Sequence, residues 1–487
     1  MAPRNILIVM ADQLTPFMVG CYGNKAVKTP HMDALAAQGV RFDAAYSNSP
    51  LCTPGRYAFM TGQYISRFGG WDNAAYLPST VPTFAHYLRL MGYRTGLAGK
   101  MHFVGSDQLH GFEERHTTDV YPADFGWVPD WRTPEKRIDL WYHNMSSVVQ
   151  AGPASITNQL AYDDEVGAAT LRAIYDAVRT EDERPFCYVA SFIHPHDPYA
   201  ARPSYWDLYD DADIPMPQSP RPKATDNDPH SLRLEHAIAL DAVDIDDADI
   251  RRARRAYMAN VSYVDDWLGK LRAALVETGQ ADDTAILLVS DHGDMLGERG
   301  LWYKMTFREW ACRIPMVLHV PGRAGQGVSI ANPVSQVDVT PTLLQLAHEA
   351  TGTPIPDAID PLDGTSLLQF VDGTTQRDTT VAEYTAEGTG QAMLMLRDGP
   401  WKYICCPGDP DQLFDLASDP NEEINLADAA EQAPRMAGFR ARAQAHWDPA
   451  DIHARVLDSQ NRRRMDLTSH DITSRAPRPV PFKPKWS

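Results

Sequence analysis

Ile6-Leu7-Ile8-Val9-Met10-Ala11 is an unbroken apolar run that stops on Asp12. A β-branched run with no polar face reads as a central strand, covered on both sides. The pattern returns at Phe186–Phe192, which leads into His194-Pro195-His196-Asp197-Pro198, and at Ala285–Ser290, which leads into Asp291-His292-Gly293-Asp294. A shorter run, Arg94–Ala98, ends in Gly99-Lys100-Met101-His102. Helical stretches separate the runs: His31–Gly39, Pro82–Met91, and Arg254–Thr278, where Tyr257, Val261, Val264, Leu268, Leu271 and Leu275 keep helical spacing. Strands alternating with helices predict an α/β fold, a largely parallel sheet flanked by helices. Ligands of such sheets bind beyond the carboxyl ends of the strands. Asp12, His196, Asp291 and His292 are therefore expected to converge.

The 487 residues allow two to four domains. Beyond about residue 370 the pattern changes to short strands, Val381–Tyr384, Ala392–Arg397 and Lys402–Cys406, which predict a smaller C-terminal antiparallel sheet. The expected division is a catalytic α/β domain over 1–370, a small α+β domain over 371–460 and an extended arm over 461–487. The arm is rich in Lys and Arg, carries Pro477, Pro479, Pro481 and Pro484, and has no apolar period. Residues 199–250, rich in Pro and Asp, read as a surface excursion. Asp241, Asp244, Asp246, Asp247 and Asp249 lack the glycine and final glutamate of a calcium loop and read as a solvated face.

The net charge of −19 and pI of about 5.2 disfavour nucleic acid or an anionic membrane as partner. The first apolar run, about six residues, is too short for a signal-peptide core or a membrane span. Six cysteines without a CxxC pair read as reduced thiols of a cytoplasmic protein, and all but Cys52 as packing residues.

Cys52 stands apart. It opens Cys52-Thr53-Pro54-Gly55-Arg56, with an apolar helical stretch behind it. A helix start offers free N–H groups and the positive end of a dipole, and Arg56 adds a fixed cation. A nucleophile placed there is aimed at an oxyanion. Asp12, Gln13, Asp291 and His292 at strand ends supply donors suited to one divalent cation. The amide oxygen of Gln13 can ligate but brings no charge.

The C-x-P-x-R spacing, with Thr61-Gly62 following, resembles the type I sulfatases. The resemblance implies an alkaline-phosphatase-like fold and conversion of Cys52 to formylglycine by a formylglycine-generating enzyme. It also implies one divalent metal on Asp12, Gln13, residue 52, Asp291 and His292, with Ca²⁺ ahead of Mn²⁺ or Mg²⁺. Arg56, Lys100, His102, His196 and Lys304 match the family's catalytic pattern. Lys100 and Lys304 would hold the sulfate oxygens, His196 with Lys304 would protonate the leaving alkoxide, and His102 would take up a proton as sulfate departs.

Longer runs resemble choline sulfatases in particular: Met101–Gly105, Gln108–Arg115, Tyr121–Trp127, His194–Tyr199 and Asp294–Trp302. That likeness implies a pocket for a quaternary ammonium formed by Trp127, His143 and Glu387, with Asn73 as a further polar contact. A tryptophan face attracts such a cation. Residues 14–31 follow the wider sulfatase pattern instead. The arm implies a homo-oligomer, a dimer or tetramer, because in choline sulfatases it reaches a neighbouring subunit. The expected function is thus hydrolysis of choline sulfate. The alternatives are an aryl or alkyl sulfatase, a phosphonate monoester or phosphodiester hydrolase of the same superfamily, and a sulfate-ester binding protein with unmodified Cys52.

Overall fold

The structure, a computed structural model, describes residues 3–121, 123–137, 143–323 and 325–473, with side chains to residue 466. Its centre is the strand Asn5–Asp12, every residue of which is buried. This strand pairs in parallel with Phe186–Pro195 on one side and Thr284–Ser290 on the other. Arg94–Gly99 adds a further parallel strand beside Phe186–Pro195, and Met316–His319 adds an antiparallel one beside Thr284–Ser290. Eight strands complete this mostly parallel sheet.

Strand periodicity divides the core. Leu7, Val9 and Ala11 pack with helices Asn158–Ala177 and Asp247–Glu277, while Ile6, Ile8 and Met10 pack with helices Cys52–Thr61, Phe84–Leu90 and Val339–Thr351. Alternate side chains of one strand thus serve two layers. A second sheet, Thr379–Tyr384, Met393–Asp398, Trp401–Cys405 and Gln412–Asp415, is antiparallel throughout, as expected. Leu394, Leu396, Tyr403 and Leu413 bury one face of it against Met436 and Phe439.

Two expectations need correction. Residues 461–473 are not extended: the helix Pro449–Thr473 runs through them. Its buried stripe is Ile452, Val456, Gln460 and Arg463, at helical spacing. The last two positions are polar, so hydropathy does not reveal the period. Gln460 accepts the Trp131 N–H at 2.9 Å, and Arg463 forms a two-pronged pair with buried Asp72 at 2.5 and 2.8 Å. Residues 474–487, the rest of the expected arm, lie outside the described residues. The acidic run at 241–249 is a solvated face, with Asp241, Asp244, Asp246 and Asp247 exposed, and Asp246 also caps the long helix by accepting the N–H groups of Ala248 and Asp249, both at 2.9 Å. Residues 199–250 are not a simple excursion. They carry helices Pro203–Trp206 and Pro229–Ala237, and Glu298 accepts the N–H groups of Gln218 and Ser219.

Candidate active site

The strand ends converge as expected. The register between Asn5–Asp12 and Phe186–Pro195 slips between Ala11 and Asp12, which sets Asp12 opposite Pro195. Such an irregularity re-aims a side chain at the sheet edge. Lys100 and His102 follow the strand Arg94–Gly99, and Asp291 and His292 follow Thr284–Ser290.

Cys52 is the first residue of its helix. Asn73 Oδ1 accepts the Thr53 N–H at 3.0 Å, so Asn73 fixes the start of this helix. Gly55 lets the first turn approach the Asp291 backbone: a Cβ there would lie 3.0 Å from the Asp291 carbonyl oxygen and 2.9 Å from that of Ser49. Arg56 reaches under the site. Its Nε donates to Asp291 Oδ2 at 2.8 Å, its Nη2 lies 3.3 Å from Asp12 Oδ2, and its Nη1 donates to Ser191 Oγ at 2.9 Å and to the Lys100 carbonyl. The Lys100 ammonium is paired with Asp12. All of these side chains are fully buried.

Burial disfavours charge on Asp12, yet the Lys100 ammonium and the Arg56 guanidinium hold its pKa well below the carboxylate range. The same logic keeps Lys100 charged: burial opposes its charge most strongly, but Asp12, Cys52 and Tyr121 together outweigh that cost.

The donor set fits a cation. Ligating atoms of Asp12, Cys52, Asp291 and His292 all lie within 4.8 Å of one another. His292 Nδ1 bonds the Gly293 carbonyl at 3.0 Å, which leaves the Nε2 lone pair directed at Asp12 (3.7 Å), Asp291 (3.6 Å) and Cys52 Sγ (3.3 Å). Burial lowers the His292 pKa to about 4, so the ring is neutral at pH 7. A neutral nitrogen lone pair, two carboxylates and a sulfur facing one another form an electron-rich cage that a divalent cation satisfies. Gln13 lies beside this cage with its side chain engaged: Oε1 accepts from Lys304 Nζ and Nε2 donates to Asp294 Oδ2, both at 2.6 Å. Asp294, set aside as a ligand on sequence grounds, organises the loop by accepting from Tyr199 Oη (2.7 Å) and the N–H groups of Leu296 and Tyr303 (both 3.0 Å).

Lys304 Nζ also lies 2.7 Å from His196 Nε2, and His196 Nδ1 lies 2.6 Å from the Asp197 carbonyl oxygen. Burial and the Lys304 charge push the His196 pKa well down, so its ring is neutral. His102 is buried with its ring beside the Cys52 thiol. Burial lowers its pKa too.

The side of the site expected to hold the leaving group is aromatic. Tyr121 lies 6.1 Å from His102, 6.2 Å from Trp127 and 6.3 Å from His196 between ring centres, with Lys100 Nζ 4.9 Å from its own ring centre. His143 lies 5.0 Å from the Tyr303 ring and 6.2 Å from His196. Glu387 is buried. Its Oε2 is 3.4 Å from Tyr384 Oη, and its Oε1 has no hydrogen-bond partner among the described residues. Burial raises its pKa to about 7.

The sequence reading missed Asp119 and Tyr121 as parts of this neighbourhood. Tyr121 opens the run Tyr121–Trp127, and its offset from Trp127 is a usable signal. Asp119 offered only its spacing from Arg115, four residues earlier, since it also accepts from backbone N–H groups that no residue type marks.

A metal-ready acidic cage, a helix-opening cysteine and buried cations at the ends of a parallel sheet define a sulfatase: the chain belongs to the sulfatase family, whose model matches residues 4–349. A second model, described as N-sulphoglucosamine sulphohydrolase, C-terminal, matches residues 297–445. The chain is 47% identical over 466 residues to the choline-sulfatase of Rhizobium meliloti (strain 1021), covering 94% of this chain and 90% of that one. It is 27% identical over 457 residues to the arylsulfatase of Clostridium perfringens (strain 13 / Type A), covering 89% and 92%. Among solved structures, the phosphonate monoester hydrolase of Agrobacterium radiobacter superposes with a TM-score of 0.73 at 23% identity, covering 93% of this chain and 96% of that one. That likeness establishes the alkaline-phosphatase-like fold alone. The protein is an enzyme, a sulfatase acting on sulfate esters and similar to choline sulfatase. Among the described residues no helix is long and apolar enough to cross a membrane.

Proposed function

We propose that this sulfatase hydrolyses choline sulfate to choline and sulfate, using formylglycine made from Cys52 and one divalent cation. The observation that carries the choline reading is Glu387, a buried carboxyl one oxygen of which has no hydrogen-bond partner among the described residues. A quaternary ammonium would supply the missing charge without needing a hydrogen-bond donor. Trp127 and His143 are the aromatic partners proposed for it, the tryptophan face contributing ~0.5–2 kcal/mol. The 47% identity to the Rhizobium choline-sulfatase supports the same reading.

Asp12, Asp291, His292 and residue 52 would hold the cation, Ca²⁺ in preference to Mn²⁺ or Mg²⁺, with Gln13 at the margin. Bound there, the cation would supply Lewis-acid charge stabilisation. At position 52, formylglycine would supply a nucleophilic hydroxyl as its hydrate, plus a second hydroxyl whose deprotonation returns the aldehyde.

The remaining work falls to the chain's own side chains. Arg56 keeps positive charge beneath residue 52, and Lys100 and Lys304 neutralise the sulfuryl oxygens as charge builds. Lys304 Nζ carries the proton for the leaving alkoxide. Neutral His196, accepting from that ammonium at 2.7 Å, orients it. His102, neutral and facing residue 52, accepts the proton released as sulfate departs. Asn73 acts by fixing the first turn of the Cys52 helix. A formylglycine-generating enzyme is the proposed maturation partner, and a cytoplasmic homo-oligomer built through the C-terminal segment is the proposed assembly.

The test is a rate comparison on matured enzyme across choline sulfate, an aryl sulfate and a phosphonate monoester, with the mass of the Cys52 peptide measured in parallel. Choline sulfate should give the highest kcat/KM, and the peptide should carry the aldehyde mass. A faster phosphonate ester, or full activity with an intact thiol, would defeat the proposal.

A further inference from the structure

Beneath His102 lies a carboxylate to which no role is assigned. Met101, His102 and Phe103 turn three successive backbone N–H groups toward one point, and Asp119 Oδ2 sits there at 3.1, 2.7 and 3.3 Å. Converging N–H groups of this kind make an anion cradle. Arg115 Nη2 approaches the same oxygen at 3.2 Å, and Asp119 Oδ1 accepts the Val120 N–H at 2.9 Å. Burial opposes charge on Asp119, but Arg115, His102 and the N–H groups hold its pKa below the ordinary range. The cradle is therefore filled by an ionised group.

What it stabilises is unusual. His102 has φ +61°, in the left-handed region that a residue with a Cβ rarely adopts. Its ring faces Cys52, and the backbone that carries it is tied by Asp119 on one side and Tyr57 on the other. Tyr57 Oη lies 3.2 Å from Val104 N and 3.3 Å from the His102 carbonyl oxygen.

We infer that Asp119 is a positioning residue for His102: its carboxylate holds residues 101–103 in the left-handed turn that aims the imidazole at Cys52. The inference rests on the proton-accepting role proposed above for His102.

A double-mutant cycle tests it. His102→Ala, Asp119→Ala and the double variant are compared on matured enzyme. Amide hydrogen exchange at residues 101–103 is measured in protein with unmodified Cys52. Asp119→Ala should lower kcat by ~10²-fold, within the range of one acid–base group. KM should stay within ~3-fold, the pattern of a lost transition-state interaction. The double variant should be no slower than His102→Ala, and amides 101–103 should exchange faster in Asp119→Ala. A double variant that multiplies the two losses would overturn the inference, because a residue serving the general fold would still matter once His102 is gone. If His102→Ala itself keeps wild-type turnover, the proposed role of His102 fails, and the inference falls with it. Should Asp119→Ala not fold, Asp119→Asn decides. It keeps one acceptor but lacks the charge, so an intermediate fall in kcat at unchanged KM is expected, and wild-type kcat would contradict it.

Discussion

The Cys52 cluster and the Glu387 carboxyl handle buried charge in opposite ways. Around Cys52, two carboxylates, Asp12 and Asp291, face two cations, Arg56 and Lys100, and every one is fully buried. Glu387 is just as enclosed, yet one oxygen has no hydrogen-bond partner among the described residues and the carboxyl is pushed up to about 7. A balanced cluster is a framework that keeps its shape before any ligand arrives. An unbalanced carboxyl is a vacancy for positive charge. In the proposed reading, an added divalent cation would give the first region the excess charge that attracts a sulfate, while the second would select what the sulfate is attached to.

That contrast can be broken from either side. The largest effect expected is from Cys52→Ala, which removes the nucleophile: turnover should fall by roughly 10⁴-fold or more, as for other covalent catalysts. Ester binding, measured by calorimetry, should survive, and substantial residual turnover would place the chemistry elsewhere. Arg56→Ala should strike stability as well as rate. Removing one partner of a buried pair costs about 3–5 kcal/mol, read from the urea midpoint. An unchanged midpoint would mean that the cluster is not the framework described.

Glu387→Gln should do the reverse. The folded-state pKa lies above the ordinary 4.5, so the contribution of Glu387 to stability is full below that pH and is lost as pH rises through about 7. The glutamine variant should therefore gain about 2–3 kcal/mol at pH 8 in the absence of ligand. Wild-type affinity for choline sulfate should rise as pH passes 7, when the carboxyl ionises, and the variant should lose that rise. A wild-type profile flat in pH would contradict the vacancy. The smallest effect belongs to Trp127→Ala, which should weaken choline sulfate by about 2- to 30-fold, the range of one cation–π contact. An uncharged aryl sulfate should be affected less.

The same comparison explains what the sequence could reveal. Asp12, Asp291 and His292 were legible because strand ends are marked where an apolar run stops, and topology brings such ends together. Cys52 and Arg56 were legible because a helix start fixes their relation over four residues. The helical course of 461–473 was hidden, since Gln460 and Arg463 are buried by hydrogen bonds and an ion pair rather than by apolarity. Asp119 was hidden for a related reason. It binds backbone N–H groups 16 to 18 residues away, and any residue but proline could supply those donors. Gln13 was seen as a donor of an amide oxygen, but its engagement with Lys304 and Asp294 depends on residues nearly 300 positions away.

The central claim is that the vacancy at Glu387 is filled by the ammonium of choline sulfate. It is tested most directly by kcat/KM for choline sulfate against 3,3-dimethylbutyl sulfate, its uncharged carbon isostere, on matured enzyme at pH 8. The two esters share size and leaving-group position and differ in one positive charge. A buried carboxylate and a tryptophan face should together favour choline sulfate by ~10²-fold or more, a difference that Glu387→Gln should largely erase. Equal values for the two esters in the wild-type enzyme would contradict the claim.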